Sequence, residues 1–92
     1  KAMSKDLGQY NIRVNAVCIG LIRSDQIEKR WQNNAPDLSW DEYSKKIGEN
    51  IPLGRIGDTS EAANVITFLC SDLASYVSGT AVNIDGGSGH AW

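Results

Sequence analysis

Ninety-two residues, 41% hydrophobic and 22% charged, describe an ordinary globular chain with room for one small domain. Nine Lys and Arg against eleven Asp and Glu leave a net charge of -2, which excludes a basic stripe for neutralising nucleic-acid phosphates. No apolar run nears the roughly 20 residues of a membrane span, and the amino end lacks a signal-peptide pattern. No nucleic-acid or membrane partner is therefore expected. Cys18 and Cys70 sit in apolar surroundings without CxxC or Cys/His ligand spacing. Two buried, reduced thiols, a cytoplasmic location and no metal site are the expectation.

The chain opens on residues 1–8 (KAMSKDLG) as though inside a helix already under way, with no initiator Met or cap before Lys1, as in a piece of a longer protein. Met3 and Leu7, at i and i+4, provide a face to pack, and Gly8 is placed to end the helix. Ile12 to Cys18 reads as a strand, with Ile12, Val14, Ala16 and Cys18 sharing one face at period two. Gly20 ends it. Residues 24–50 are polar, aromatic and loosely periodic. Ser24 can cap a helix through Gln32, and Ser39 with Glu42 three residues on has capping-box spacing for another near Trp40 to Gly48. Two short helices after a strand end make a lid.

After the turn-rich residues 52–57, Asp58 and Glu61 open the best helix, whose Ala62, Val65, Ile66 and Leu69 form one stripe with Phe68 alongside. Thr80 to Ile84 is a second strand, ended by Asp85-Gly86-Gly87. If the two strands are parallel, the order strand, lid, helix, strand is a right-handed βαβ unit. Two strands leave unpaired edges and an uncovered face, so more strands are expected beside them.

Five words stand in a particular order: residues 11–17 (NIRVNAV), 20–24 (GLIRS), 52–57 (PLGRIG), 68–79 (FLCSDLASYVSG) and 83–87 (NIDGG). Together they resemble the carboxyl-terminal third of a short-chain dehydrogenase/reductase. The resemblance implies an α/β fold, the C-terminal part of a Rossmann-type doubly wound parallel sheet. Residues 1–92 would then be a C-terminal fragment of a single dehydrogenase domain, with 24–50 as its substrate-lid region. It also implies an oxidoreductase that uses NAD or NADP to interconvert an alcohol and a carbonyl of a small-molecule substrate, assembled as a homo-oligomer, dimer or tetramer.

The family's glycine-rich phosphate loop, catalytic Ser and Tyr-x-x-x-Lys pair have no match here. Tyr10 is followed at that spacing by Val14, and Tyr43 by Ile47. Lys1 stands about two helical turns too near the strand to be the family's lysine and reads as a surface residue. No catalytic residue is thus expected in this chain, and alone it should be inactive. The family's loop after the penultimate strand reads Pro-Gly-x-Ile-x-Thr. Carried over position by position, Gly20 becomes the close-approach glycine, Ile22 the backbone ligand of the nicotinamide carboxamide, and Ser24 the nearby hydroxyl. Ile19 replaces the proline, which restores an N–H, and Ser24 replaces threonine, which loses only a methyl.

Each of these assignments has a plainer counterpart. Gly20, Ile22 and Ser24 also suit an ordinary strand-to-helix turn with Ser24 as N-cap. Trp31, Trp40 and Tyr43 can line a pocket, but aromatics on short amphipathic helices more often pack as core. Glu28, Lys29 and Arg30 read as a solvated face. His90, the only histidine, follows a Gly-Ser-Gly run and is a poor general base there. The alternative to an enzyme segment is a noncatalytic, truncated chain of the same family that acts through subunit association. An unrelated small α/β domain requires all five matches to be accidental.

Overall fold

The computed structural model describes residues 1–89, and His90 lies outside the described residues. The first helix, α1, is Ala2–Gly8. It is stopped by Asn11 rather than by Gly8: Asn11 adopts a left-handed φ of 59°, its N–H bonds the Gly8 carbonyl at 2.9 Å, and the Ile12 N–H bonds the Leu7 carbonyl at 3.3 Å. Asparagine tolerates that region better than bulkier residues. Met3 is 61% exposed and Leu7 half-buried, so the expected packed face is only partly covered among the described residues.

Two strands, β1 (Ala16–Ile19) and β2 (Ala81–Ile84), pair in parallel with Ala16 opposite Ala81 and Ile19 opposite Ile84. The strand is shorter at its start than residues 12–18 suggest, because the preceding residues are bound outside the ladder. The Val14 N–H donates to Ser78 Oγ at 3.2 Å, and the Val14 carbonyl accepts from the Gly79 N–H at 2.8 Å. Asn15 accepts the Thr80 N–H on Oδ1 and donates from Nδ2 to the Val77 carbonyl.

Between the strands run α2 (Asp25–Asn34), α3 (Trp40–Ile47) and α4 (Thr59–Cys70), with single 3-10 turns at Gly48–Asn50 and Asp72–Ala74. Ser24 caps α2 by accepting the Ile27 N–H on Oγ. The helix runs through Asn33 and Asn34 because the Ala35 N–H still reaches the Trp31 carbonyl, at 2.9 Å. Ser39 and Glu42 complete the capping box of α3 with bonds of 3.0 and 3.1 Å. Glu61 returns to the Asp58 N–H at the start of α4. Arg13 holds the other end of α4, donating to the carbonyls of Leu69, Ser71 and Val77. That is the favourable place for a cation, where the last turn leaves carbonyls unpaired.

The main core lies between α2, α3 and the approach to α4. Ile27, Tyr43 and Ile56, the last only 2% exposed, pack with Trp31, Ala35, Leu38 and Trp40. Ser44, buried, accepts the Ile56 N–H at 2.8 Å and so pins α3 to the approach of α4. On α4, Ala62 and Leu69 are buried and Val65 half-buried, but Ile66 and Phe68 are exposed. Cys18 and Cys70 are both free and exposed, contrary to the buried thiols expected. Period two placed Cys18 on an apolar face, but among the described residues nothing is laid over it. No helix of the described residues is long and apolar enough to cross a membrane.

Candidate functional site

Both strands run the same way, so their carboxyl ends, Ile19 and Ile84, finish side by side. A cleft of about 310 Å³ opens there, walled by Leu21, Ile22, Leu53, Arg55, Glu61 and residues 83–87. Gly20 precedes the cleft wall without lining it. Its N–H donates to the Ile84 carbonyl at 2.9 Å, and a Cβ at this position would lie 2.8 Å from Asp85 Cβ and 3.0 Å from Asp85 Cα. The close approach that demands glycine is therefore met by the chain's own second strand end.

Beyond Gly20 the chain makes one more parallel bridge, Ile22 to Gly57. The Gly57 N–H donates to the Leu21 carbonyl at 3.0 Å, and the Arg23 N–H donates to the Gly57 carbonyl at 2.8 Å. The bonds on either side of Ile22 are thus fixed. The N–H and C=O of Ile22 itself alternate away from Gly57 and have no partner among the described residues. One donor and one acceptor, held side by side in extended backbone, match the needs of a primary amide. Ser24 follows, exposed, with its Oγ occupied as acceptor at the α2 cap and its hydroxyl proton uncommitted.

Of the three residues singled out by the sequence reading, Ile22 lines the cleft, whereas Gly20 and Ser24 flank it in the same loop. The structure separates Trp31, Trp40 and Tyr43 from the cleft: their rings pack on one another with centroids 5.6 to 6.5 Å apart, and Tyr43 is 6% exposed. The core reading holds for them. Glu28 leaves the solvated face assigned to it and pairs, half-buried, with Arg23, whereas Lys29 and Arg30 are exposed. Lys1 is exposed as expected.

The sequence reading missed the ion pair on the cleft wall. Arg55 donates to both carboxylate oxygens of Glu61, at 2.7 and 2.9 Å. These bonds, with the Asp58 N–H, hold the Glu61 carboxyl down at about 2, and the same pair raises the Arg55 guanidinium. The signal was present in the six-residue spacing across the Asp58 cap, which folds Glu61 back towards Arg55. Among the described residues no cluster of three potential metal ligands occurs.

Against known proteins, the family model described as enoyl-(acyl carrier protein) reductase matches residues 1–89. The chain belongs to the short-chain dehydrogenase/reductase family. It is 40% identical over 87 residues to a 3-oxoacyl-[acyl-carrier-protein] reductase of Aquifex aeolicus, covering 95% of this chain and 32% of that protein. It is 40% identical over 86 residues to a 3alpha-hydroxysteroid dehydrogenase of Mediterraneibacter gnavus, covering 94% of this chain and 31% of that one.

A short chain oxidoreductase of Pseudomonas aeruginosa, described as containing an atypical catalytic center, superposes in its apo form with a TM-score of 0.89 at 35% identity. That match covers 98% of this chain and 36% of the other. Its NADPH-bound form gives 0.84 at 34% identity, with 98% and 34% coverage. The short-chain dehydrogenase/reductase segment thus spans about a third of the length of its relatives. Its helices and parallel strands form part of a Rossmann-type α/β sheet.

Proposed function

We propose that residues 1–92 are the C-terminal fragment of a single dehydrogenase domain. The whole protein would be an NAD(P)(H)-dependent oxidoreductase that interconverts an alcohol and a carbonyl of a small molecule. In it this segment supplies the loop beside the nicotinamide and, with residues 24–50, the substrate lid. The observation that carries the reading is the unpaired N–H and C=O of Ile22, fixed from both sides by the bridge to Gly57. Support for the chemistry comes from relatives named as reductases and dehydrogenases and from a structural neighbour that holds NADPH.

Nicotinamide, when bound, supplies or accepts the hydride. What this chain does is orientation. The Ile22 N–H would donate to the carboxamide oxygen and the Ile22 carbonyl would accept from its nitrogen, so this residue would hold the nicotinamide end. Gly20 keeps the strand ends close enough to hold that loop, and the Ser24 hydroxyl has a proton left to donate. Residues 24–50 follow this loop directly and, as a substrate lid, would close over the nicotinamide end to exclude water. Ile66, Phe68, Leu73 and Tyr76, all exposed, suit packing in a homo-oligomer.

The test is Ile22→Pro in the full-length protein, which removes the N–H and keeps an extended φ. NADPH and NADH affinity, titrated by fluorescence, should fall by about 2- to 10-fold, the worth of one hydrogen bond. ADP-ribose, which lacks the nicotinamide, should bind as it does to the wild type. An equal loss for ADP-ribose, or no loss for either dinucleotide, would remove Ile22 from the nicotinamide site.

A further inference from the structure

Arg23 stands where the cofactor loop, the lid and the start of α4 meet. Its backbone belongs to α4: the Arg23 N–H donates to the Gly57 carbonyl at 2.8 Å, and Thr59 Oγ1 donates to the Arg23 carbonyl at 2.8 Å. Its side chain belongs to the lid. The Nε donates to Glu28 in the first turn of α2, and the guanidinium lies 4.2 Å from the ring centroid of Trp40, the first residue of α3. The Trp31 ring is 5.9 Å away. A planar cation that stacks on an indole while donating edge-on to a carboxylate satisfies both partners at once.

From this we infer that Arg23 is a positioning residue, which sets the lid's place relative to the loop at Ile22. The covalent distance is one residue, and both Arg23 main-chain groups are already bonded. A shift of α2 and α3 therefore cannot occur without loading Arg23, and Arg23 cannot move without disturbing the bond that holds Ile22. Elsewhere the lid is anchored to the approach of α4 by Ser44 and Ile56, a joint that does not touch the loop. Arg23 does, and it alone of the loop residues reaches past the Ser24 cap to both α2 and α3 among the described contacts. In the Pro-Gly-x-Ile-x-Thr frame this is an unspecified position, so the link comes from this chain's own pairing of Arg23 with Glu28 and Trp40. It rests on the cofactor-loop reading only where NADPH enters the test.

Hydrogen exchange on the full-length protein tests it, with wild type, Arg23→Met and Arg23→Lys each measured without and with NADPH. Without NADPH, Met should speed exchange in α2 and α3 by about 3- to 10-fold and leave α4 unchanged, and Lys, which keeps the charge but not the planar stack, should restore only part of the protection. With NADPH, the wild type should gain protection from residue 21 through α3. In the Met variant the gain should stop at the loop. Unchanged lid exchange in the Met variant, or lid protection by NADPH that survives it, overturns the inference. Absence of any NADPH effect in the wild type would sink the cofactor reading while the first comparison still decides the role of Arg23. If the Met variant does not fold, Glu28→Gln must loosen α2 alone, and its failure to do so also overturns the inference.

Discussion

At Gly20 the missing side chain serves a contact inside the chain, and this changes what its replacement should do. Valine would drive its branches into Asp85, so Gly20→Val in the full-length protein should cost about 1 to 3 kcal/mol of stability by overpacking, with cofactor affinity lost as a consequence. Thermal melts run beside NADPH titration check the order; full stability with lost affinity would restore direct cofactor approach as the reason for the glycine. Glu61 carries a second expectation. Its carboxyl is depressed from 4.5 to about 2 by the Arg55 bonds first and the Asp58 N–H second. The stabilisation is present above pH about 4.5 and drains away as pH falls towards 2. Glu61→Gln should flatten that decline, seen as a smaller difference in unfolding midpoint between pH 6 and pH 3. The Arg55–Glu61 pair had a local signal in its spacing, whereas the Gly20–Asp85 contact had none. Motif spacing named Gly20, but only the fold shows that Asp85 fills the space in front of it.

Among the elements, those with local signals were legible. The Ser39–Glu42 box and the Asp58–Glu61 spacing mark α3 and α4 because each cap is satisfied within four residues. Ser39→Ala should destabilise by about 1 kcal/mol, measured by urea unfolding, with the exchange of α3 amides rising more than that of α4. Strand limits were illegible for the opposite reason. β1 begins at Ala16 because Arg13, Val14 and Asn15 are bound to residues 56 to 65 positions away, which no local pattern encodes. The exposed cysteines follow the same logic: periodicity tells which side chains share a face, and says nothing of whether another element covers it. The two helices α2 and α3 were anticipated, and so was the packing of their aromatics as core, but not the ion pair on the cleft wall.

For the whole molecule, the dimensions of 54 × 23 × 19 Å and a radius of gyration of 16.5 Å describe an elongated body. A compact domain of this length would have a radius near 12 Å. The 92 residues expressed alone should therefore melt without a cooperative transition and bind ANS; a sharp two-state melt would count against this. Ala16 and Gly20 donate to β2, so by alternation the main-chain groups of Val17 and Ile19 face the other edge of β1, which no described strand occupies. On the fragment reading proposed above, that edge is where the rest of the sheet would dock. Supplied in trans with the separately expressed remainder of a full-length parent, the chain should reassemble by strand addition and recover NADPH binding that neither piece shows alone. The cut between them would then serve as a reporter junction, with dinucleotide binding as the signal that two separately made polypeptides have met.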